Sequence, residues 1–224
     1  MTYKAPSEHL FELMGIDKAA AEGVYSFGKG FVAIIRHDPK EFVLKAGDDK
    51  NYVENVEQMY EQKAKAGSLT FKNHFHLSRG SYEIISVVDE GVSEEPYVIK
   101  GKLIDLFDPT LPVVDQKQIN PGEQAYLFNI DKVADAKKPQ VLAAASRVYD
   151  EVTGKRSYTF ITKSPMNTTN VMRILLPAAP KKITLTQTGG KVVTESKNSW
   201  DAKSKTCFLT FENLPEGIKV EIQW

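Results

Sequence analysis

From Leu69 to Trp224 the sequence is a series of short β-prone runs separated by turn residues, with no convincing helix. Runs rich in Val, Ile, Thr, Tyr and Phe and bounded by Gly, Pro, Asn or Asp are typical of antiparallel strands. Many short strands at this spacing favour β-sandwiches. We therefore predict strands at 70–77, 82–89, 97–107, 124–129, 141–149, 157–162, 171–176, 183–187, 191–195, 206–212 and 218–224.

The part before this series, residues 1–67, mixes helix and strand. Two apolar runs flank Gly28-Lys29-Gly30, and a glycine turn of this kind predicts a β-hairpin. A phosphate-binding loop needs a longer gap between its glycines and a helix after them, whereas a strand follows here. Asn51 and Glu54 have the spacing of a capping box and predict a helix that ends at Gly67. The predicted fold class is mostly β with a small α/β N-terminal part.

Composition argues against several kinds of partner. Lys plus Arg number 29 and Asp plus Glu number 29, so the formal net charge is zero. Nucleic-acid-binding proteins usually show a basic excess or a basic stripe, and this sequence has neither. No apolar run reaches ~18 residues, so we expect no membrane span. Cys207 is the single cysteine, which excludes an internal disulfide and a thiolate metal site, and its β-prone surroundings predict a buried, inert thiol.

The stretch 101–128 contains two extended apolar runs joined by proline-containing turns, and it carries two aspartates. Asp105 and Asp108 have the residue type of a hydrolytic carboxylate pair. That chemistry needs two carboxyl groups about 5–5.5 Å or about 6.5–9.5 Å apart across a sugar-sized cleft. Because these aspartates are close in sequence and enter a turn, we interpret them as groups that make Asx-type hydrogen bonds. We assign no catalytic residue.

His74 and His76 are the one candidate metal site. Residues i and i+2 of a strand point to the same face, which is the geometry of many two-histidine metal sites. Glu83 or Asp89 on the next predicted strand could supply a third ligand. The alternative is a polar strand face with no metal, and we predict no cofactor.

Exposed aromatic residues are the candidate ligand-binding groups. Sugar-binding modules stack pyranose rings on tryptophan and tyrosine side chains, because the apolar ring face buries area there. Trp200, which precedes a predicted hairpin turn, Trp224 and Tyr149 have this residue type. The alternative is that the two tryptophans pack against the core of a small sandwich.

Several stretches of the chain resemble the C-terminal part of large, multi-domain bacterial glycoside-hydrolase-like proteins. The resemblance covers nearly the whole chain, and its motifs are structural. It implies a catalytic (β/α)₈ barrel upstream in the same protein, which holds the acid and the base. It also implies that residues 1–67 are the tail of a flavodoxin-like or glutaminase-like α/β domain. The matching stretches are GVYSFGKG at 23–30, LSRGSYEII at 77–85, 101–125, VMRILLP at 171–177 and the Trp200-Asp201 hairpin.

These observations lead to one prediction of function and one alternative. We expect a non-catalytic accessory region of a carbohydrate-active enzyme that scaffolds or binds a polysaccharide or oligosaccharide, in a periplasmic or extracellular parent protein. The alternative is a stand-alone hydrolase or a metal-binding, lectin-like protein that uses His74 and His76. The predicted domains are 1–67, a β-rich module at 68–135 and a sandwich at 139–224 of immunoglobulin-like or galactose-binding-like type.

Overall fold

The structure, a computed structural model, describes residues 6–224, with side chains from His9 onward. The prediction of a mostly β fold is confirmed, because 44% of residues lie in strands and 13% in helices, and all four sheets are antiparallel. The chain divides into two compact units, Met1–Phe71 and Lys72–Trp224. No helix within residues 6–224 is both long enough and apolar enough to cross a membrane.

The first unit contains short helices and one hairpin. β1 and β2 form the predicted antiparallel pair, and Gly28 adopts a φ of +57° in the turn between them. The predicted capping box is wrong, because the N-cap position is Asp49 and the side chain of Asn51 lies inside the helix, where it accepts a hydrogen bond from Asn55. The elements are α1 (Pro6–Met14), β1 (Gly23–Phe27), β2 (Gly30–Ile34), a 3-10 turn (Pro39–Val43), α2 (Lys50–Glu57) and a π-helical continuation (Gln58–Lys63).

The second unit begins with a five-stranded antiparallel sheet. Its strands are β3 (His74–Arg79), β4 (Tyr82–Val87), β5 (Tyr97–Asp105), β6 (Val113–Ile119) and β7 (Gln124–Asn129), in the order β3-β4-β7-β5-β6. Side chains alternate between the faces of each strand. One face carries a buried apolar cluster, which contains Ile85, Val87, Ile99, Leu103, Ile119, Ala125 and Leu127. The opposite face carries the aromatic residues described below.

The remaining strands form a β-sandwich. One sheet has the order β12-β15-β10-β9 and the other β13-β14-β11-β8. Their inner faces share one core, to which β10 contributes Tyr158 and Phe160 and β14 contributes Leu209 and Phe211. The strands are β8 (Gln140–Ala144), β9 (Arg147–Thr153), β10 (Ser157–Lys163), β11 (Thr169–Leu175), β12 (Lys182–Gln187), β13 (Ser196–Asp201), β14 (Thr206–Glu212) and β15 (Ile218–Gln223).

Two predicted strands of this sandwich are wrong. The run 141–149 is two strands, because the chain leaves one sheet after β8 and enters the other at β9. The run 191–195 makes only a single bridge, between Thr186 and Val192, after the Gly189-Gly190 turn. The strand lies later, at β13, and Trp200 lies near its end, directly before the hairpin turn at 202–205 that leads into β14, as predicted.

The five-stranded sheet and the sandwich are joined by a third apolar cluster. It contains Ile104 and Phe128 from the sheet and Leu142 and Leu175 from the sandwich. Arg173 of β11 reaches across this junction, and its Nε donates to the carbonyl oxygen of Leu111 at 3.0 Å. Burial lowers the pKa of the Arg173 guanidinium, which also lies 5.2 Å above the ring of Phe208. Lys72–Trp224 is thus continuously packed.

Candidate functional site

A cleft of about 330 Å³ opens between the five-stranded sheet and the sandwich, and we call it the aromatic cleft. Its aromatic wall consists of Tyr82 and Tyr126, whose ring centroids lie 5.6 Å apart with an interplanar angle of 19°. Phe107 lies beside this wall, with its ring centroid 6.2 Å from that of Tyr126. The other lining residues are Leu106, Asp108, Pro109, Leu111, Leu142, Ala143, Ala144, Ala145 and Val171.

The register of β4 and β7 explains why these rings meet. Tyr82 pairs with Phe128, and Ile84 pairs with Tyr126, so the two tyrosines lie diagonally on neighbouring strands. Diagonal neighbours lie about 7–8 Å apart at the backbone, which is within the reach of aromatic side chains. Because Ile85 on the same strand faces the buried cluster, Tyr82 and Ile84 face outward. The cleft is thus built on the outer face of the sheet.

The outer face of this sheet exposes apolar side chains beyond the cleft itself. Phe75 is 57% exposed, and Leu77, Tyr82 and Ile84 on the same face are exposed as well. Phe107 is 63% exposed. Soluble proteins seldom expose apolar patches of this kind unless the patch binds something. The aromatic cleft therefore belongs to a surface with the character of a binding site.

Asp108 is the charged residue that lines the aromatic cleft. Its Oδ1 accepts hydrogen bonds from the backbone amide of Thr110 at 2.8 Å and from the hydroxyl of Thr110 at 2.7 Å. These bonds lower the pKa of the Asp108 carboxyl, so it is ionised at neutral pH. Asp105 accepts from the amide of Phe107 at 3.1 Å and from Lys117 Nζ at 2.8 Å. The predicted Asx-type hydrogen bonds are confirmed for both aspartates.

The two candidate metal ligands lie on the inner side of β3, where they contact Tyr97. The ring centroid of Tyr97 is 4.2 Å from that of His74 and 5.5 Å from that of His76. Nε2 of His76 lies 2.9 Å from Oε2 of Glu83, and the Tyr97 hydroxyl lies 3.0 Å from Nδ1. Both ring nitrogens of His76 are therefore occupied by protein partners. Residues 6–224 contain no group of three or more His, Cys, Asp or Glu side chains that could hold a metal ion.

Glu83, which the sequence offered as a third metal ligand, is the centre of a polar cluster. Its carboxylate is 1% exposed and pairs with Lys132 Nζ at 2.6 Å and with His76. Ser78 donates its hydroxyl to the same carboxylate, and Asn129 Nδ2 lies 3.4 Å away. Burial alone would raise the pKa of Glu83, but hydrogen bonds from the cluster, led by Lys132, lower it from 4.5 to about 2.

The polar cluster has the features of a structural ion pair. Lys132 follows β7, and its ammonium group joins the carboxylate on β4 and the hydroxyl on the edge strand β3, with Nζ 3.1 Å from Ser78 Oγ. A buried carboxylate that is fully paired holds the strands it joins in register. Sequence reasoning found Glu83 and His76 but missed Lys132 and Asn129, because nothing local links residues so distant in the chain.

The three predicted sugar-stacking residues do not form one site. Trp200 and Trp224 are half-buried and pack against the core of the sandwich, as the alternative interpretation holds. Tyr149 is 40% exposed on β9, at the edge of the other sheet from that of Trp200. The prediction for Cys207 is confirmed, since the thiol is buried and burial raises its pKa to about 11.

The aromatic cleft itself was missed by sequence reasoning. Tyr82, Tyr126 and Phe107 lie in β-prone runs that we interpreted as scaffold strands. These residues could have been identified from the tyrosines that occupy outward-facing positions on two adjacent strands. That identification requires knowledge that β4 pairs with β7, and 36 other residues separate these strands in the chain.

Comparison with known proteins finds no relative of this chain. No protein-family model matches the chain. No curated protein and no solved structure matches it either. The resemblance to glycoside-hydrolase-like proteins therefore remains a prediction from the sequence motifs.

Proposed function

We propose that this chain is a non-catalytic accessory region of a carbohydrate-active enzyme and that it binds a polysaccharide or oligosaccharide in the aromatic cleft. The observation that carries the proposal is the pair of neighbouring tyrosine rings, Tyr82 and Tyr126, that line the cleft. Pyranose rings present an apolar face to aromatic side chains, while their hydroxyl groups find polar partners at the edge.

The remaining features of the cleft suit a sugar. A cavity of about 330 Å³ is at the lower end of the range for small-molecule sites. Asp108 offers a carboxylate that is ionised at neutral pH and that can accept hydrogen bonds from sugar hydroxyls. Ala143, Ala144 and Ala145 also line the cleft, and their small side chains leave room for a ligand. One aromatic wall and one polar acceptor are suited to binding a short stretch of glycan.

The non-catalytic part of the proposal rests on the carboxylates. Asp105 is engaged by Lys117, and Thr110 engages Oδ1 of Asp108, so that Oδ2 is the atom that can accept from a sugar hydroxyl. Glycoside hydrolysis needs two carboxyl groups free to act on opposite sides of the scissile bond. In our proposal the acid and base are therefore supplied by another domain of the same protein, and this region positions the substrate.

The proposal is tested by titration calorimetry of the protein with neutral oligosaccharides chosen from a glycan array. We expect Tyr82→Ala to weaken binding by about tenfold, because a lost stacking contact of roughly 1–1.5 kcal/mol corresponds to that factor. Tyr82→Phe keeps the ring and should bind like the wild type. Tyr60→Ala is the matched control, since Tyr60 is 41% exposed, much like Tyr82, but lines no cleft on the sheet or the sandwich.

Two results would contradict the proposal. The first is an array and a calorimetric series in which no neutral glycan gives a signal. The second is a loss of affinity that is as large for Tyr60→Ala as for Tyr82→Ala. Thermal unfolding of each variant should accompany the titrations, so that a loss of binding is separated from a loss of folded protein.

A further inference from the structure

A second cleft, of about 660 Å³, lies at the edge of the sandwich and is basic. Arg147 on β9 and Lys163 at the end of β10 both line it, together with Tyr149. The two cations are its only charged lining residues. The rest of the lining is Ala144, Ala145, Ser146, Ser164, Pro165 and Pro215. We call this the basic cleft.

The two cations of the basic cleft stand directly opposite each other. Arg147 pairs with Lys163 in the antiparallel register of β9 and β10. The neighbouring pair, Val148 and Thr162, faces inward, with Val148 on the core and Thr162 buried, so Arg147 and Lys163 both face outward. Directly opposed residues have Cβ atoms about 4.5–5.5 Å apart, and like charges at that position are destabilising. The fold thus holds two positive charges in an unfavourable pairing.

Among the described residues, no carboxylate forms an ion pair that offsets this repulsion. Neither Arg147 nor Lys163 forms an ion pair with any residue that the structure describes. By contrast, Lys219 on the same outer face pairs with Glu221 at 3.1 Å. The sheet therefore pairs a lysine nearer its centre with a carboxylate and leaves the positive charges of Arg147 and Lys163 without one. An anion from solution would supply the missing charge.

Polar groups at the cleft can bind such an anion. Asn170 is fully buried, and its Nδ2 donates to Oγ of Ser146 at 3.0 Å. Because Ser146 Oγ already accepts this bond, its hydroxyl hydrogen is free to donate. Gly217, at a φ of +110°, lies against the stem of Lys163, and a Cβ there would come within 3.3 Å of Cε. The Asn170 bond thus fixes the serine, and the lack of a side chain at Gly217 leaves room for the stem of the lysine.

We propose that the basic cleft binds an oxyanion carried by a sugar ring, with Arg147 and Lys163 contacting the anion and Tyr149 stacking on the ring. Tyr149 is two residues from Arg147 on the same face of β9 and is 40% exposed, so ring and cations lie side by side. The guanidinium group matches the planar geometry of a carboxylate or sulfate oxygen pair. The shared chemistry is an anionic glycan, and its source is a sulfate ester or a uronate.

The test uses the full chain and three probes of similar length: a sulfated heparin-derived oligosaccharide, an oligogalacturonate and an uncharged cello-oligosaccharide. We expect at least one anionic probe to bind, and Arg147→Gln and Lys163→Gln each to weaken that binding by about tenfold or more, because each removes a charge-assisted hydrogen bond. Lys182→Gln is the matched control. It makes the same charge change on the same outer face, at the opposite edge of the sheet, on β12.

A second measurement guards against variants that fail to fold. Without any probe, Arg147→Gln should melt at the temperature of the wild type or above it, because it removes a like-charge pair. The anionic probe should raise the melting temperature of the wild type and of Lys182→Gln, and should raise that of Arg147→Gln less. Binding of only the sulfated probe, or of only the uronate, supports the proposal and identifies the source of the anion.

This proposal would be overturned by no binding of either anionic probe, by equal weakening by Lys182→Gln, or by a melting temperature lowered by Arg147→Gln with affinity unchanged. The proposal is independent of the aromatic cleft. Tyr82→Ala should leave the affinity for the anionic probe unchanged, so a failure of either site is seen separately. An affinity that falls with salt equally in all variants would indicate general attraction and count against the cleft.

Discussion

At the scale of single residues, Glu83 shows how a charge is placed on an apolar face. It lies on the same face of β4 as Ile85 and Val87, which belong to the buried cluster. An isolated buried carboxylate is costly, and a partner cation with further hydrogen bonds is needed to offset that cost. Lys132 supplies the cation and Ser78 a hydroxyl. The pKa of about 2 records that these bonds outweigh the effect of burial.

This pairing makes the stability of the fold depend on pH. Because the pKa of Glu83 falls from 4.5 to about 2 on folding, its contribution is fully present above pH 4.5 and is lost as the pH falls toward 2. A shift of this size corresponds to roughly 3 kcal/mol. We expect Glu83→Gln to lower the free energy of unfolding at pH 7 by about that amount, and the difference from wild type to vanish near pH 2. Urea denaturation across this range measures it.

The control for this prediction is Glu90→Gln, which changes an exposed carboxylate in the loop after β4. It should change the free energy of unfolding by less than about 0.5 kcal/mol at either pH. If the deficit of Glu83→Gln were the same at pH 7 and at pH 2.5, the carboxylate would not be the titrating group that stabilises the fold.

At the scale of elements, the sequence predicts most strands and not their partners. Turn residues such as Arg79-Gly80 and Asn120-Pro121-Gly122 separate the runs correctly, because turn conformations depend on local backbone preferences. The run 141–149 fails because β-branched and small residues continue through the point where the chain changes sheets. The sequence does not predict the aromatic and basic clefts for a related reason. Each cleft depends on which strands pair, and pairing is decided by contacts between residues distant in sequence.

The junction between the sheet and the sandwich offers a prediction at this scale. Arg173 on β11 donates to the carbonyl of Leu111, a buried residue held at a φ of +46°. Arg173→Met keeps an apolar stem over Phe208 but leaves that carbonyl without its donor, which costs about 1–3 kcal/mol. We expect Arg173→Met to lower the free energy of unfolding by about this amount. Arg173→Lys should recover part of the loss, because it keeps a donor but not the two-pronged contact.

Chemical denaturation of the two variants, beside the exposed control Arg156→Met, measures this effect. The control removes a charge of the same type from the turn between β9 and β10 and should leave stability within about 0.5 kcal/mol of the wild type. Equal stability of Arg173→Met and the control would mean that the apolar cluster alone holds the sheet to the sandwich.

At the scale of the whole molecule, the two units differ sharply in how much apolar surface they bury. Three clusters of buried side chains lie in Lys72–Trp224. Between residues 9 and 71 the single buried side chain is Ile34. Val43 is 81% exposed and Leu13 is 67% exposed. Even a typical domain of about 60 residues buries only about 60% of the surface that its unfolded chain exposes, and it is correspondingly marginal in stability. The first unit therefore has little of its own to stabilise it.

This contrast predicts a large difference in local stability within one chain. Amide hydrogens open with free energies that rise with the number of buried apolar contacts around them. We expect the amides of β1 and β2 to exchange within seconds to minutes, and those of β10, β14 and β15, which surround the sandwich core, to exchange orders of magnitude more slowly. Hydrogen exchange read by mass spectrometry on the intact chain measures both in one experiment. Equal protection of β2 and β14 would contradict this prediction. It would mean that the first unit is as stable as the sandwich although most of its apolar side chains are exposed.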